Sequence, residues 1–239
     1  MGKDVERDQA TFARLARSPE LWLRSAEMLK KSADVLLAGL ERERQEHDAR
    51  LKLLLEWGLH RQGQKPHFCI EDHDLTHSIG QSYFLMAGLC IENLLKGIIV
   101  HAHPEYVKEK GELGFSLKSH DLVQLAKDAG LYGELSREER DLLKMLGEAV
   151  VYWGRYHIPR DYEKLKSGWG WDDPHFVTFD RLFRRWAKKQ IRLFAVSDKG
   201  VMLPGDCEVS SMTPDEYVLW RLDRKRPDAI QPPGDRVDQ

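Results

Sequence analysis

Three sets of residues have the types and spacing to do chemistry. Glu92 and Lys96 stand four apart in an otherwise apolar stretch, so on a helix they share one face and can pair. His120-Asp121 falls at the expected start of a helix. There the positive end of the helix dipole favours a neutral imidazole, the form a general base needs. Arg155 follows Trp153-Gly154 at the expected end of another helix. Its guanidinium can fork onto a carboxylate such as Glu92 or onto a phosphate, and Gly154 lets a second backbone come close. His157, two residues on, is placed to help grip a phosphate or to stand exposed in a turn. A structural role competes with each: Arg155 pinning the helices through Glu92, and His120 anchoring a loop.

Two further constellations are weaker. His67-Phe-Cys69, His73 and His77 lie among Glu71, Asp72 and Asp74, all of them metal-ligand types. Their spacing matches no standard zinc pattern, so no metal is expected, with Cys69, His73 and His77 as the alternative ligand set. Arg181, Arg184, Arg185, Lys188, Lys189 and Arg192 fall on one face of a long C-terminal helix with no acid among them. Such a face tracks phosphates or is simply solvated. His101 and His103 adjoin a helix C-terminus, where capping explains them. The chain has no phosphate-cradling glycine loop, no His-Glu-x-x-His and no serine elbow, and no cofactor is expected.

The elements that must position these groups read as helices. Ser82–Val100 is apolar on nearly every face except for Glu92, Asn93 and Lys96, as befits a helix enclosed by others. Before it, Ser18-Pro19 reads as a cap with proline in the first turn, opening a helix towards Glu56. That helix either continues through or breaks near the charged run 41–50. Residues 60–77 read as a polar connection and 108–117 as a loop. Ser119 is expected to cap a helix ending at Ala129, with Gly130 just beyond. Ser136-Arg-Glu-Glu139 is a capping box for a helix reaching towards Tyr156, and the last long helix spans about Pro174 to Val196. Thr213-Pro-Asp-Glu216 is a second such box, followed by a tail read as flexible. The expected fold is all-α: a four- to five-helix bundle over 19–197, an N-terminal arm over 1–18, and a C-terminal extension over 198–239.

Composition narrows the classes. Apolar residues at 41% and charged ones at 32% describe a globular chain. A net charge of -2 argues against a strongly basic nucleic-acid binder but leaves room for a local basic face. Cys69, Cys90 and Cys207 are too few and scattered for a disulfide framework. The first residues lack the apolar core of a secretory signal. Charges at the middle of Ser82–Val100 would be costly at a bilayer centre, so a cytoplasmic protein with no membrane partner is expected.

Ala87-Gly-Leu-Cys-Ile-Glu-Asn-Leu-Leu-Lys-Gly97, Ser119-His-Asp-Leu122 and Tyr152-Trp-Gly-Arg-Tyr156 occur in that order. Together they resemble the HEPN superfamily, over roughly residues 20 to 195. The resemblance implies a helical bundle, a homodimer, and a polar centre made of Glu92, Asn93, Lys96, His120, Asp121, Arg155 and Tyr156. Many HEPN proteins are metal-independent ribonucleases with four to six residues between an arginine and a following histidine. Arg155 takes the arginine's place, but the histidine is missing: the residues there are Arg160, Asp161 and Tyr162. The resemblance therefore implies a non-catalytic protein that binds RNA, nucleotide or a protein partner in a toxin–antitoxin or defence setting. The alternative is a dimeric ribonuclease in which Arg155 acts with His120 or His157.

Overall fold

A computed structural model of the chain describes residues 2–60, 73–153 and 173–195. Its α-helices are α1 (Gly2–Ala16), α2 (Pro19–His60), α3 (His73–Ala102), α4 (Phe115–Lys118), α5 (Leu122–Asp128), α6 (Arg137–Glu148) and α7 (Asp173–Ala195). The fold is all-α, and a lone β-bridge between Val107 and Leu113 is the only extended pairing among the described residues. Among the described residues seven α-helices stand where a bundle of four or five was expected. Two segments read as irregular account for the excess: the N-terminal arm is α1, and the loop before Ser119 holds α4. Two compact units divide the chain, residues 1–183 and 184–239, with the division inside α7.

α2 continues unbroken through the charged run, about 63 Å at 1.5 Å per residue. No proline or glycine interrupts residues 41–50, and extending an existing helix adds one hydrogen bond per residue fixed. The same economy starts α3 at His73, inside the segment read as a connection. Helix α2 packs extensively against α3. Leu23, Ala26 and Ala33 of α2 are buried, as are Tyr83, Phe84, Ala87, Ile91, Leu94, Leu95 and Ile99 of α3. Tyr83 meets Phe84, Phe176 and Phe179 edge-on, tying α3 to the first half of α7.

Helix α1 is held to the rest of its unit by specific contacts. Arg17 donates from Nε and Nη2 to the Val107 carbonyl at 3.0 and 2.7 Å, and the Trp22 indole donates to the Ala16 carbonyl. Phe12 packs on Gly111, whose φ of +79° and lack of Cβ suit a position where a methyl would lie 2.7 Å from the ring.

The residues of 79–102 have the length and hydropathy of a membrane span, yet 78% of the window is buried within the protein. α5 and α6 cover the other side of α3. Asp121, rather than Ser119, caps α5: its Oδ1 accepts from the amides of Val123 and Gln124 at 3.0 Å. At the far end, Leu131 and Gly130 donate back to Ala126 and Lys127 in a Schellman closure, with Gly130 at φ +70°. α6 opens with the reciprocal capping box of Ser136 and Glu139. It does not run on as regular helix: Ala149–Trp153 forms a π-helical turn. Here α3 and α6 come close at Gly88, where a Cβ would stand 2.5 Å from Val150 Cγ2 and 2.8 Å from the Leu146 carbonyl oxygen.

Candidate functional site

The face of α3 that carries Gly88 carries Glu92 one turn on and Lys96 another turn on, by the spacing of four. Gly88 seats α6, and the α5 entry packs beside it, since Leu122 lies against Gly147. Glu92 and Lys96 are each 5% exposed. Lys96 Nζ donates to Glu92 Oε1 at 2.6 Å, and His120 Nδ1 lies 2.9 Å from Glu92 Oε2. Each carboxylate oxygen therefore has its own partner, one on α3 and one at the entrance of α5. Two buried charges that would be costly alone satisfy each other here.

His120 differs from its partners in opening outward: its side chain is 43% exposed. A carboxylate only accepts, so Nδ1 carries the proton that reaches Glu92. Nε2 is then the ring nitrogen left for chemistry, holding a lone pair when the imidazole is neutral. The arrangement is a carboxylate–histidine dyad, the part of a general-base apparatus that orients and polarises the ring. Among the described residues no hydroxyl or thiol is hydrogen-bonded to the ring. The thiol of Cys90, with Lys30, Asp34 and Glu27 of α2 as its charged neighbours, is fully buried, and its burial pushes its pKa well above the usual range, so it is no nucleophile.

Three of the residues read as one polar centre thus come together: Glu92, Lys96 and His120. Asp121 has no hydrogen bond to them among the described residues; its Oδ1 accepts from the α5 amides of Val123 and Gln124. Asn93 turns to its own helix, donating to the Leu89 carbonyl at 2.7 Å. Arg155, Tyr156 and His157 lie outside the described residues, as does Cys69. His73 and His77 open α3, but their side chains are not described. No group of three or more metal-ligating side chains occurs among the described residues.

The basic face of α7 is more engaged than its sequence implied. Arg181 lies 3.9 Å from both Glu138 and Glu139 of α6. Arg184, Arg185, Lys189 and Arg192 also have interaction partners, and Lys188 is half-buried.

Sequence reasoning did not single out a second ionic cluster, around Lys30. Its ammonium lies 2.5 Å from Asp34 and 3.1 Å from Asp180, with Phe179 and Phe183 each 5.6 Å away at the ring centre. The Lys30–Asp34 spacing of four was visible, but nothing in the sequence joins α2 to Asp180. Burial, with Asp34 and Asp180 adding to it, pushes the Tyr83 phenol far above its usual range.

No protein-family model, curated protein or solved structure matches the chain significantly. The fold and site define an all-α protein with a buried Glu–Lys pair presenting one histidine at the surface.

Proposed function

We propose that the chain is a HEPN-like helical protein that binds RNA or nucleotide through phosphate and base contacts and does not cleave it. One observation carries the reading: His120 is half-open to solvent while the charges behind it are closed and mutually satisfied. Such a histidine is a rigid, oriented hydrogen-bonding group, and no nucleophile is coupled to it among the described residues. The protein acts in the cytoplasm as a homodimer, in a toxin–antitoxin or defence setting.

A dimeric, metal-independent ribonuclease is the second reading, favoured by the tautomer that Glu92 imposes. Nε2 is the nitrogen a general base would use to take a proton from a 2′-hydroxyl. Arg155, supported by the motif resemblance, would then stabilise the phosphate.

The test incubates labelled single-stranded RNA with the protein in EDTA, alongside His120→Ala and Arg155→Ala. Binding without cleavage, weakened in both variants, is the expected result. Cleavage by the unaltered protein that both variants lose would establish the ribonuclease instead. RNA neither bound nor cut would reject both and point to a protein partner.

A further inference from the structure

A second polar surface lies at the other end of α5. Lys127, in its last turn, holds its ammonium 5.4 Å from the centre of the Tyr132 ring. Arg140, one turn into α6, holds its guanidinium carbon 5.1 Å from the same centre. Two cations thus converge on one neutral ring, whose quadrupole attracts each without cancelling either charge. Among the described residues neither cation has a carboxylate within ion-pair distance. Asp128, beside Lys127 in sequence, accepts from Gln124 at 2.7 Å instead. On α6, Asp141 is shared by Arg137 and Lys144 rather than by Arg140. Among the described residues Arg140 Nε, itself buried, has no hydrogen-bond partner. The ring, rather than any acid, holds this guanidinium.

Bringing two like charges to one ring is unfavourable unless something negative joins them. The charges elsewhere on these helices illustrate the contrast, since Arg137 and Lys144 flank an aspartate. We infer that Lys127, Tyr132 and Arg140 form an oxyanion site whose ligand is a phosphate group. Arginine supplies a planar fork of donors and lysine a compact point charge, the pairing that phosphate oxygens accept well. Tyr132 sets the stems of both cations in place, so little side-chain freedom is lost on binding. The remaining charge of the helix C-terminus, partly negative, favours Lys127 there but cannot serve Arg140 on a different helix.

Phosphate can come from a free nucleotide or from an RNA backbone, and the identity of that source rests on the proposed function. His120 precedes α5 and Lys127 lies in its last turn, and the seven residues of that helix are about 10 Å long at 1.5 Å each. A short single strand can reach both.

The experiment has two arms. In the first, inorganic pyrophosphate is titrated while NMR follows the amides of residues 127–140 and the Arg140 side chain. In the second, affinity for single-stranded RNA is measured against salt for the unaltered protein, Lys127→Gln/Arg140→Gln and, as a control, Arg137→Gln/Lys144→Gln. Each phosphate contact contributes about 0.7 to the salt slope for a single strand, so losing two flattens it by about 1.4. The control pair, which shares the carboxylate of Asp141 and lies off the Tyr132 ring, leaves the slope unchanged. Melting curves establish that both double variants fold. Pyrophosphate shifts centred on Tyr132 without RNA binding would keep the site and reject the RNA reading. RNA binding that needs His120 but ignores Lys127 and Arg140, with no pyrophosphate shifts, would overturn the site and keep that reading. Pyrophosphate shifts spread evenly over all surface cations would overturn it too.

Discussion

Two ionic clusters sit on the α2–α3 frame, and they are built in opposite senses. At Glu92 one carboxylate lies between an ammonium and an imidazole, with the Glu92 and Lys96 side chains each 6% exposed. At Lys30 one ammonium lies between two carboxylates, and the acids are 52% and 40% exposed. Both contain a lysine–acid pair spaced by four, so local geometry does not distinguish them. Solvent does. A buried pair has given up hydration and depends on its partner, whereas half-exposed aspartates keep water as an alternative. The closed cluster is therefore the one able to fix His120 in a single orientation, and the open one acts chiefly as a fastener between helices.

Removing one side of each pair breaks the comparison most directly. Glu92→Ala strands the Lys96 ammonium in the core and should cost about 3–5 kcal/mol, measured by urea unfolding. Glu92→Leu with Lys96→Met removes both charges and should recover most of that loss, because neither desolvated ion remains. A double variant as unstable as the single one would mean that the pair is not closed off from water.

A second contrast concerns backbone approach. Gly88→Ala places a methyl against Val150 Cγ2 and the Leu146 carbonyl, and should destabilise by about 1–3 kcal/mol. Gly39→Ala on α2 meets nothing within 4 Å and should stabilise by about 0.5–1 kcal/mol. The informative result is the sign difference. If Gly88→Ala is neutral, α6 does not press on α3 beside Glu92, and the site has lost its wall.

Much of this was legible before any coordinates. Glu92 and Lys96 were visible because two charges interrupt an apolar run, and helical spacing alone puts them on one face. The capping box of Ser136 and Glu139 was visible because its bonds are local. His120 meeting Glu92 across 28 residues was open to suggestion only, through the proposed polar centre. Asp121 reads from sequence as part of the same centre, whereas in the structure its Oδ1 meets its own helix's amides, as a short acid before a helix does. Lys30–Asp180 and Lys127–Tyr132–Arg140 carried no local signal, since those pairings depend on how separate helices dock. The start of α3 differs from the sequence reading for another reason: propagation through polar residues is cheap, so the helix outruns its apolar stripe.

Alkaline pH separates the core from its ionic clusters. Burial raises the Cys90 thiol and the Tyr83 phenol, so the folded chain keeps protons that the unfolded chain releases. Stability from these groups is complete below the unfolded pKa values, about 8.5 for the thiol and about 10 for the phenol. Above each value it falls with rising pH, by about 1.4 kcal/mol per unit per group. Urea unfolding between pH 8 and pH 11 should show the decline steepening past pH 10. Cys90→Ala should flatten the part below pH 10 and about halve the slope beyond it, where only the phenol still contributes. An unchanged slope in that variant would mean that the thiol is not protected as its position implies.

The smallest effect is expected at Lys30. Lys30→Met keeps an unbranched stem against Phe179 and Phe183 but removes the charge facing Asp34 and Asp180. The two aspartates stay hydrated at their present exposure, so the cost should be about 1 kcal/mol, from two partly screened ion pairs and the cation–ring attraction. Raising the salt concentration should shrink the difference between the variant and the parent, as screening weakens the pair that the variant lacks. The Glu92→Ala penalty should change far less with salt, because little electrolyte reaches a buried charge. Equal salt sensitivity at both sites would mean that exposure is not what separates them, and the two clusters would then differ only in the number of acids each contains.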